Sequence, residues 1–133
     1  MELVSIRIIT DDVARLVAFY EQATGATAIW GNEVFAELPT ASGTLAVVDT
    51  RTVPLFGSGA AEPGANRSVV IEYLVDRRRR LVREIARPRR ARGHRTHHDV
   101  PWGNRALLLR DPDGNLVNFF TPVTPQARAK FGR

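Results

Sequence analysis

The chain reads as an α+β protein built from two βαβββ modules whose curved mixed sheets wrap a cup. Three observations lead there. Two stretches open alike, each as a strand that runs into an aspartate and then a helix: Ser5 to Asp12, and Val69 to Asp76 about 60 residues later. Short apolar segments bounded by turn residues follow each opening. No apolar run approaches the roughly 20 residues that a membrane helix needs. At 133 residues the chain fits a single domain of ordinary composition, 44% hydrophobic and 25% charged. The modules divide as a first module 1–56, a linker 57–67, a second module 68–122 and a C-terminal tail 123–133.

Val4 to Thr10 is apolar and β-branched, the pattern of a buried strand. Asp11-Asp12 interrupts it and supplies a helix N-cap. Val13, Leu16, Val17 and Tyr20 then recur at helical spacing through Gln22, and Gly25 is placed to end the helix. Strands are expected at Ala28 to Trp30, Val34 to Leu38 and Thr44 to Asp49, separated by Gly31-Asn32 and by Pro39 to Gly43. Gly57 to Asn66 is the linker. Ser68 to Val75 is the next strand, and Arg77 to Ile85 carries Leu81, Val82 and Ile85 at helical spacing. An irregular basic stretch runs to Val100, followed by strands at Arg105 to Arg110 and Asn115 to Thr121 around the turn Asp111-Pro112-Asp113-Gly114. The tail from Pro122 reads as polar and surface-bound.

Charge is concentrated. Ten arginines and one acid, Glu84, lie between Arg77 and Arg95, so this segment is strongly basic while the remainder is slightly acidic around a net +5. A solvated basic helix face accounts for that run. A nucleic-acid or anionic-partner module is the alternative, but no Phe, Tyr or Trp interleaves the arginines from Arg77 to Asp99. With no cysteine, disulfides, thiol nucleophiles and zinc–thiolate sites are excluded, and a cytoplasmic setting is expected. The three histidines fall in Gly93 to Asp99. On a strand His94 and His98 would face one side and His97 the other, so no face collects three ligands, and the neighbouring arginines would repel a cation. There is no nucleophile–base pair. Glu72 could act as a general base, but nothing in the spacing shows it.

Two motifs carry a resemblance. Asp12-Val13-Ala14-Arg15-Leu16-Val17-Ala18-Phe19-Tyr20 with Gly25 is similar to the helix opening of the vicinal oxygen chelate superfamily, which includes glyoxalase I, bleomycin-resistance proteins and extradiol dioxygenases. Asp111-Pro112-Asp113-Gly114-Asn115-Leu116-Val117-Asn118 resembles its closing D-P-D-G-N-x-x-E hairpin, and Pro101-Trp102-Gly103 the segment that often precedes it. The resemblance implies the cup-shaped fold, commonly a homodimer, and in many members one divalent metal held by His and Glu. Here the corresponding positions are Ser5 on the first strand, Val70 on the fifth and Asn118 on the last. The remaining position, late in the first module, cannot be placed from sequence. Serine, valine and asparagine do not make a tight divalent site, so no metal and no cofactor are expected.

By strand alternation Arg7 shares a face with Ser5, and Glu72 with Val70, at equivalent positions of the two modules. They either form a buried ion pair that fixes register or, with Asn118, supply the polar floor of a ligand pocket. Trp30, Phe35, Phe56, Trp102 and Phe120 are the candidate walls. The expected function is metal-free binding of a small organic molecule, as in antibiotic sequestration, rather than catalysis. The alternatives are a lyase, isomerase or dioxygenase of the glyoxalase type with a displaced metal site, and the basic module above.

Overall fold

A computed structural model describes residues 1–75 and 96–133, with Thr96, His97 and His98 described only through their strand pairing. The chain divides into two compact units, Met1–Asn66 with Pro112–Gly114, and Arg67–Asp111 with Asn115–Arg133.

In the first unit β1 (Ser5–Thr10) leads into α1 (Val13–Thr24), then β2 (Ile29–Asn32), β3 (Phe35–Thr40), β4 (Gly43–Asp49) and a 3-10 helix (Thr50–Leu55). The sheet order is β1-β4-β3-β2, with β1 and β4 parallel and the other pairs antiparallel. Asp12 caps α1 by accepting a hydrogen bond from the Arg15 N–H (2.9 Å), and Gly25 ends it in the left-handed region at φ 71°. The stripe Val13, Leu16, Val17, Tyr20 and Ala23 is buried, as are Ala36, Leu38, Leu45 and Val47 on the adjacent sheet. Those four alternate with residues of the opposite face, so α1 covers one side of the sheet and leaves the other to Arg7, Phe35, Glu37, Ala46 and Val48. Asp49, 8% exposed, closes the strand. It accepts from the Arg51 backbone N–H (2.8 Å) and from the Arg51 guanidinium (3.0 and 2.9 Å), which holds its carboxyl below the usual range.

The second unit contains β5 (Val70–Leu74), β6 (Thr96–Asp99), β7 (Asn104–Arg110), β8 (Leu116–Pro122) and α2 (Pro125–Lys130). Its order, β5-β8-β7-β6 with β5 and β8 parallel, repeats that of the first sheet strand for strand. At the turn between β7 and β8, buried Asp111 accepts from both the backbone N–H (2.9 Å) and the side-chain amide (2.8 Å) of Asn115.

The mixed α+β class and the doubled strand order agree with the sequence reading, while several boundaries move. The first helix ends at Thr24 with Gly25 as its cap, as the sequence places it. A strand at Thr96–Asp99 occupies part of the stretch expected to be irregular; it pairs with β7 along its whole length. The 3-10 helix after β4 was not anticipated, and it follows from the Asp49 cap and Pro54. The tail, read from sequence only as polar and surface-bound, holds a short helix: the Thr124 hydroxyl accepts from the Ala127 N–H (3.2 Å), Pro125 starts the helix, Ala127 is buried, and the Phe131 ring lies 5.3 Å from that of Phe120. The helix expected at Arg77 to Ile85, the arginine cluster and His94 lie outside the described residues. Among the described residues no helix is long and apolar enough to cross a membrane.

Candidate functional site

On the face of the first sheet that points away from α1, cross-strand register sets Arg7 beside Ala46 and Ala46 beside Glu37, with Ala46 and Val48 buried there. The Arg7 guanidinium carbon stands 5.9 Å from the centre of the Phe35 ring and 5.3 Å from that of Phe56. Two such contacts are each worth about 0.5–1 kcal/mol at an exposed site. They hold the guanidinium while leaving its N–H donors uncommitted. Phe35 comes from β3 by alternation, and Phe56 is delivered by the 3-10 helix that Asp49 caps. Trp30 pairs with Ala36 and therefore stands on the opposite face from Phe35.

In the second unit Glu72 on β5 and Asn118 on β8 are register partners. The Asn118 amide N–H donates to Glu72 Oε1 at 2.7 Å. A carboxylate only accepts, so this bond fixes which way the Asn118 amide faces and leaves Oδ1 on its far side. That oxygen is shut off from solvent and has no hydrogen-bond partner. A buried acceptor left so costs about 1–3 kcal/mol. Phe120, two residues on, is only 7% exposed and packs against Phe131, whereas Trp102 in the turn before β7 is 70% exposed. On the opposite face of the second sheet Tyr73 stacks on Phe119 (5.3 Å), and burial pushes its phenol up to about 12.

The two sheets thus carry matching register positions, Arg7 and Ala46 on the β1–β4 pair and Glu72 and Asn118 on the β5–β8 pair. The profile of the Glyoxalase/Bleomycin resistance protein/Dioxygenase superfamily matches residues 2–119. The chain belongs to this superfamily. Solved structures agree on the fold. A glyoxalase/bleomycin resistance protein/dioxygenase family enzyme from Burkholderia phytofirmans PsJN superposes with TM-score 0.74 at 18% identity, over 92% of this chain and 100% of that one. A glyoxalase/bleomycin resistance protein/dioxygenase from Nocardioides gives 0.68 at 19% identity, over 94% and 85%. A lactoylglutathione lyase from Agrobacterium tumefaciens gives 0.62 at 17% identity, over 90% and 92%. No curated protein matches the chain.

Superfamily membership makes the metal positions a direct test of the donor set, and register now supplies the one that sequence could not place. Asn118 pairs with Glu72, two residues beyond Val70; the equivalent partner of Arg7, two residues beyond Ser5, is Ala46. The positions therefore hold Ser5, Ala46, Val70 and Asn118, and the same-face neighbours of Ala46 on β4 are Thr44 and Val48. None offers the imidazole or carboxylate that a divalent cation selects. Among the described residues no three His, Asp or Glu side chains converge into an alternative set. These residues do not fit the superfamily's metal.

Of the residues singled out from sequence, the structure joins Glu72 to Asn118 and Arg7 to Phe35 and Phe56. Glu37 and Ala46 escaped that reading. Alternation alone could have set Glu37 beside Phe35, but its relation to Arg7 depends on the parallel β1–β4 pairing.

Proposed function

We propose that this superfamily member binds a small organic molecule without a divalent metal and sequesters it rather than transforming it. The observation that carries the reading is Asn118. It stands where the superfamily places an acidic metal ligand, gives its amide N–H to Glu72, and leaves a buried carbonyl oxygen without a partner. A ligand N–H or O–H that displaces the groups now covering that oxygen and donates to it would remove the penalty, so a hydrogen-bond donor on the ligand replaces the metal as the group that Asn118 is built to meet. The reading includes a homodimer, the arrangement that the family resemblance implies.

A thermal-shift screen of the purified chain against polycyclic and peptide antibiotics tests it. Compounds that raise the melting temperature of the wild type are expected to lose that effect in Asn118→Leu, which keeps the size and removes the acceptor. A screen in which no compound shifts the wild type, or in which every hit survives that substitution, contradicts the reading.

A further inference from the structure

We propose that residues 125–133 are a lid on the face of the second sheet that carries Asn118, held shut by Phe131 on Phe120 and displaced when a ligand binds there. The inference rests on the reading of Asn118 as the ligand's contact and adds how access to it is controlled.

Register places the parts. Asn104 pairs with Pro122, Ala106 with Phe120 and Leu108 with Asn118, so all six side chains leave the sheet on one face. Asn118 and Phe120 are successive side chains on that face, about 6.8 Å apart along β8. The Phe131 ring packs on Phe120 with centres 5.3 Å apart and planes tilted by 55°, and Phe120 is only 7% exposed. The tail thus returns over the face that Asn118 shares. It departs from the strand at Gly103, whose carbonyl accepts from the Val123 and Thr124 N–H groups (2.8 and 3.2 Å).

The cover is lightly held. A helix of six residues does not stand alone and depends on what it packs against. Ala127 is its one buried side chain, Phe131 is half-buried, and Gln126, Arg128, Ala129 and Lys130 are exposed. The tail carries Arg128, Lys130 and Arg133, yet among the described residues no ion pair pins it, and Lys130 reaches only the Phe131 ring (5.5 Å). Closure also leaves polar groups unsatisfied. Asn104 is 8% exposed at the end of the face where the tail begins, and its Oδ1, like that of Asn118, is shut off from solvent without a hydrogen-bond partner. Such acceptors penalise the closed state, and water or a ligand donor relieves them on opening. Meanwhile Phe131 occupies against Phe120 the place that an aromatic ring of a ligand needs. With the lid shut there is no room beside Phe120, and opening supplies it. A local opening of this kind lowers apparent affinity by the fraction of time that the lid is open.

The probe 8-anilinonaphthalene-1-sulfonate, an aromatic molecule with one N–H donor, tests the lid by hydrogen exchange and fluorescence titration. In the wild type the amides of Arg128, Phe131 and Gly132, which bond to the Thr124, Arg128 and Ala129 carbonyls, should exchange about tenfold faster when the probe is saturating, while β7 and β8 exchange no faster. Phe131→Ala should bind the probe about tenfold more tightly, the factor expected if the lid is closed about nine-tenths of the time. Adding Phe120→Ala should abolish that gain, because the ring that the lid uncovers is then missing. Tail amides that are unaffected or slowed by the probe, equal affinity of wild type and Phe131→Ala, or a gain that survives Phe120→Ala overturns the inference. The exchange experiment uses the wild type, so it decides the matter even where a variant fails to fold. If antibiotics in the screen act through Asn118 while the tail amides ignore the probe, the lid fails and the proposed binding function stands.

Discussion

Leu16→Ala is expected to destabilise the protein by about 2–5 kcal/mol, the largest loss of any single side-chain truncation considered for this chain. Leu16 is the centre of the α1 stripe and has no exposed surface. It is flanked along the helix by Val13, Val17 and Tyr20 and faces a sheet surface made of Ala36, Leu38, Leu45 and Val47, all at most 5% exposed. Such a site closes poorly around a deleted isobutyl group, because the strands beneath it are pinned by pairing on both sides. In a domain of this size the loss lowers the melting temperature by roughly 10 °C. Ile29→Ala, on the edge strand β2 at a residue 60% exposed, should change stability by less than about 1 kcal/mol. Urea denaturation of both variants checks the contrast, and equal losses would mean that α1 does not anchor the first sheet.

Gly103→Ala should cost roughly 3 kcal/mol for a different reason. Gly103 sits at φ 87°, where a side chain is strained, and a Cβ added there would collide with the hydroxyl and methyl of Thr124. Thr124 cannot step aside freely. Its hydroxyl caps α2, and its backbone N–H, like that of Val123, bonds to the Gly103 carbonyl (3.2 and 2.8 Å). The substitution therefore dislodges the cap and the start of the C-terminal helix, and with it the Phe131 ring that covers Phe120. Thr124→Ala removes both colliding atoms at the expense of the cap, so the double variant should lose less than the sum of the two single losses. Additive losses in a double-mutant cycle would show that Gly103 and Thr124 do not press on each other.

How much of this was readable in advance follows from what each feature depends on. The doubled strand order was legible because the apolar strand ending in an aspartate recurs in the sequence, at Ser5 to Asp12 and Val69 to Asp76, and because Asp-Pro-Asp-Gly admits little besides a tight turn. The absence of a metal donor set was legible at Ser5, Val70 and Asn118 for the same local reason, since each is fixed by distance from a motif. Ala46 was not, because its position comes from the parallel pairing of β1 with β4, a contact between segments far apart in sequence. The same non-local register hid Glu37. Phe56 reads from sequence as an apolar wall, but only the 3-10 helix explains how it reaches Arg7. The C-terminal helix was missed although Thr124-Pro125 is a start signal and Phe131 a staple; the polar surroundings outweighed both. Phe120 reads as a wall by alternation, and its cover by Phe131 depends on that missed helix.

The measurement that bears most directly on the account is metal content. Protein purified without a nickel column should contain no stoichiometric Zn, Mn, Ni or Fe by elemental analysis, and its melting temperature should be the same after chelator treatment and after adding each ion. His94, His97 and His98 give an independent way to pick up metal, so the same analysis on a variant with all three changed to alanine completes the test. A divalent ion retained in stoichiometric amount by that variant, and stabilising it, would contradict the metal-free reading of Ser5, Ala46, Val70 and Asn118.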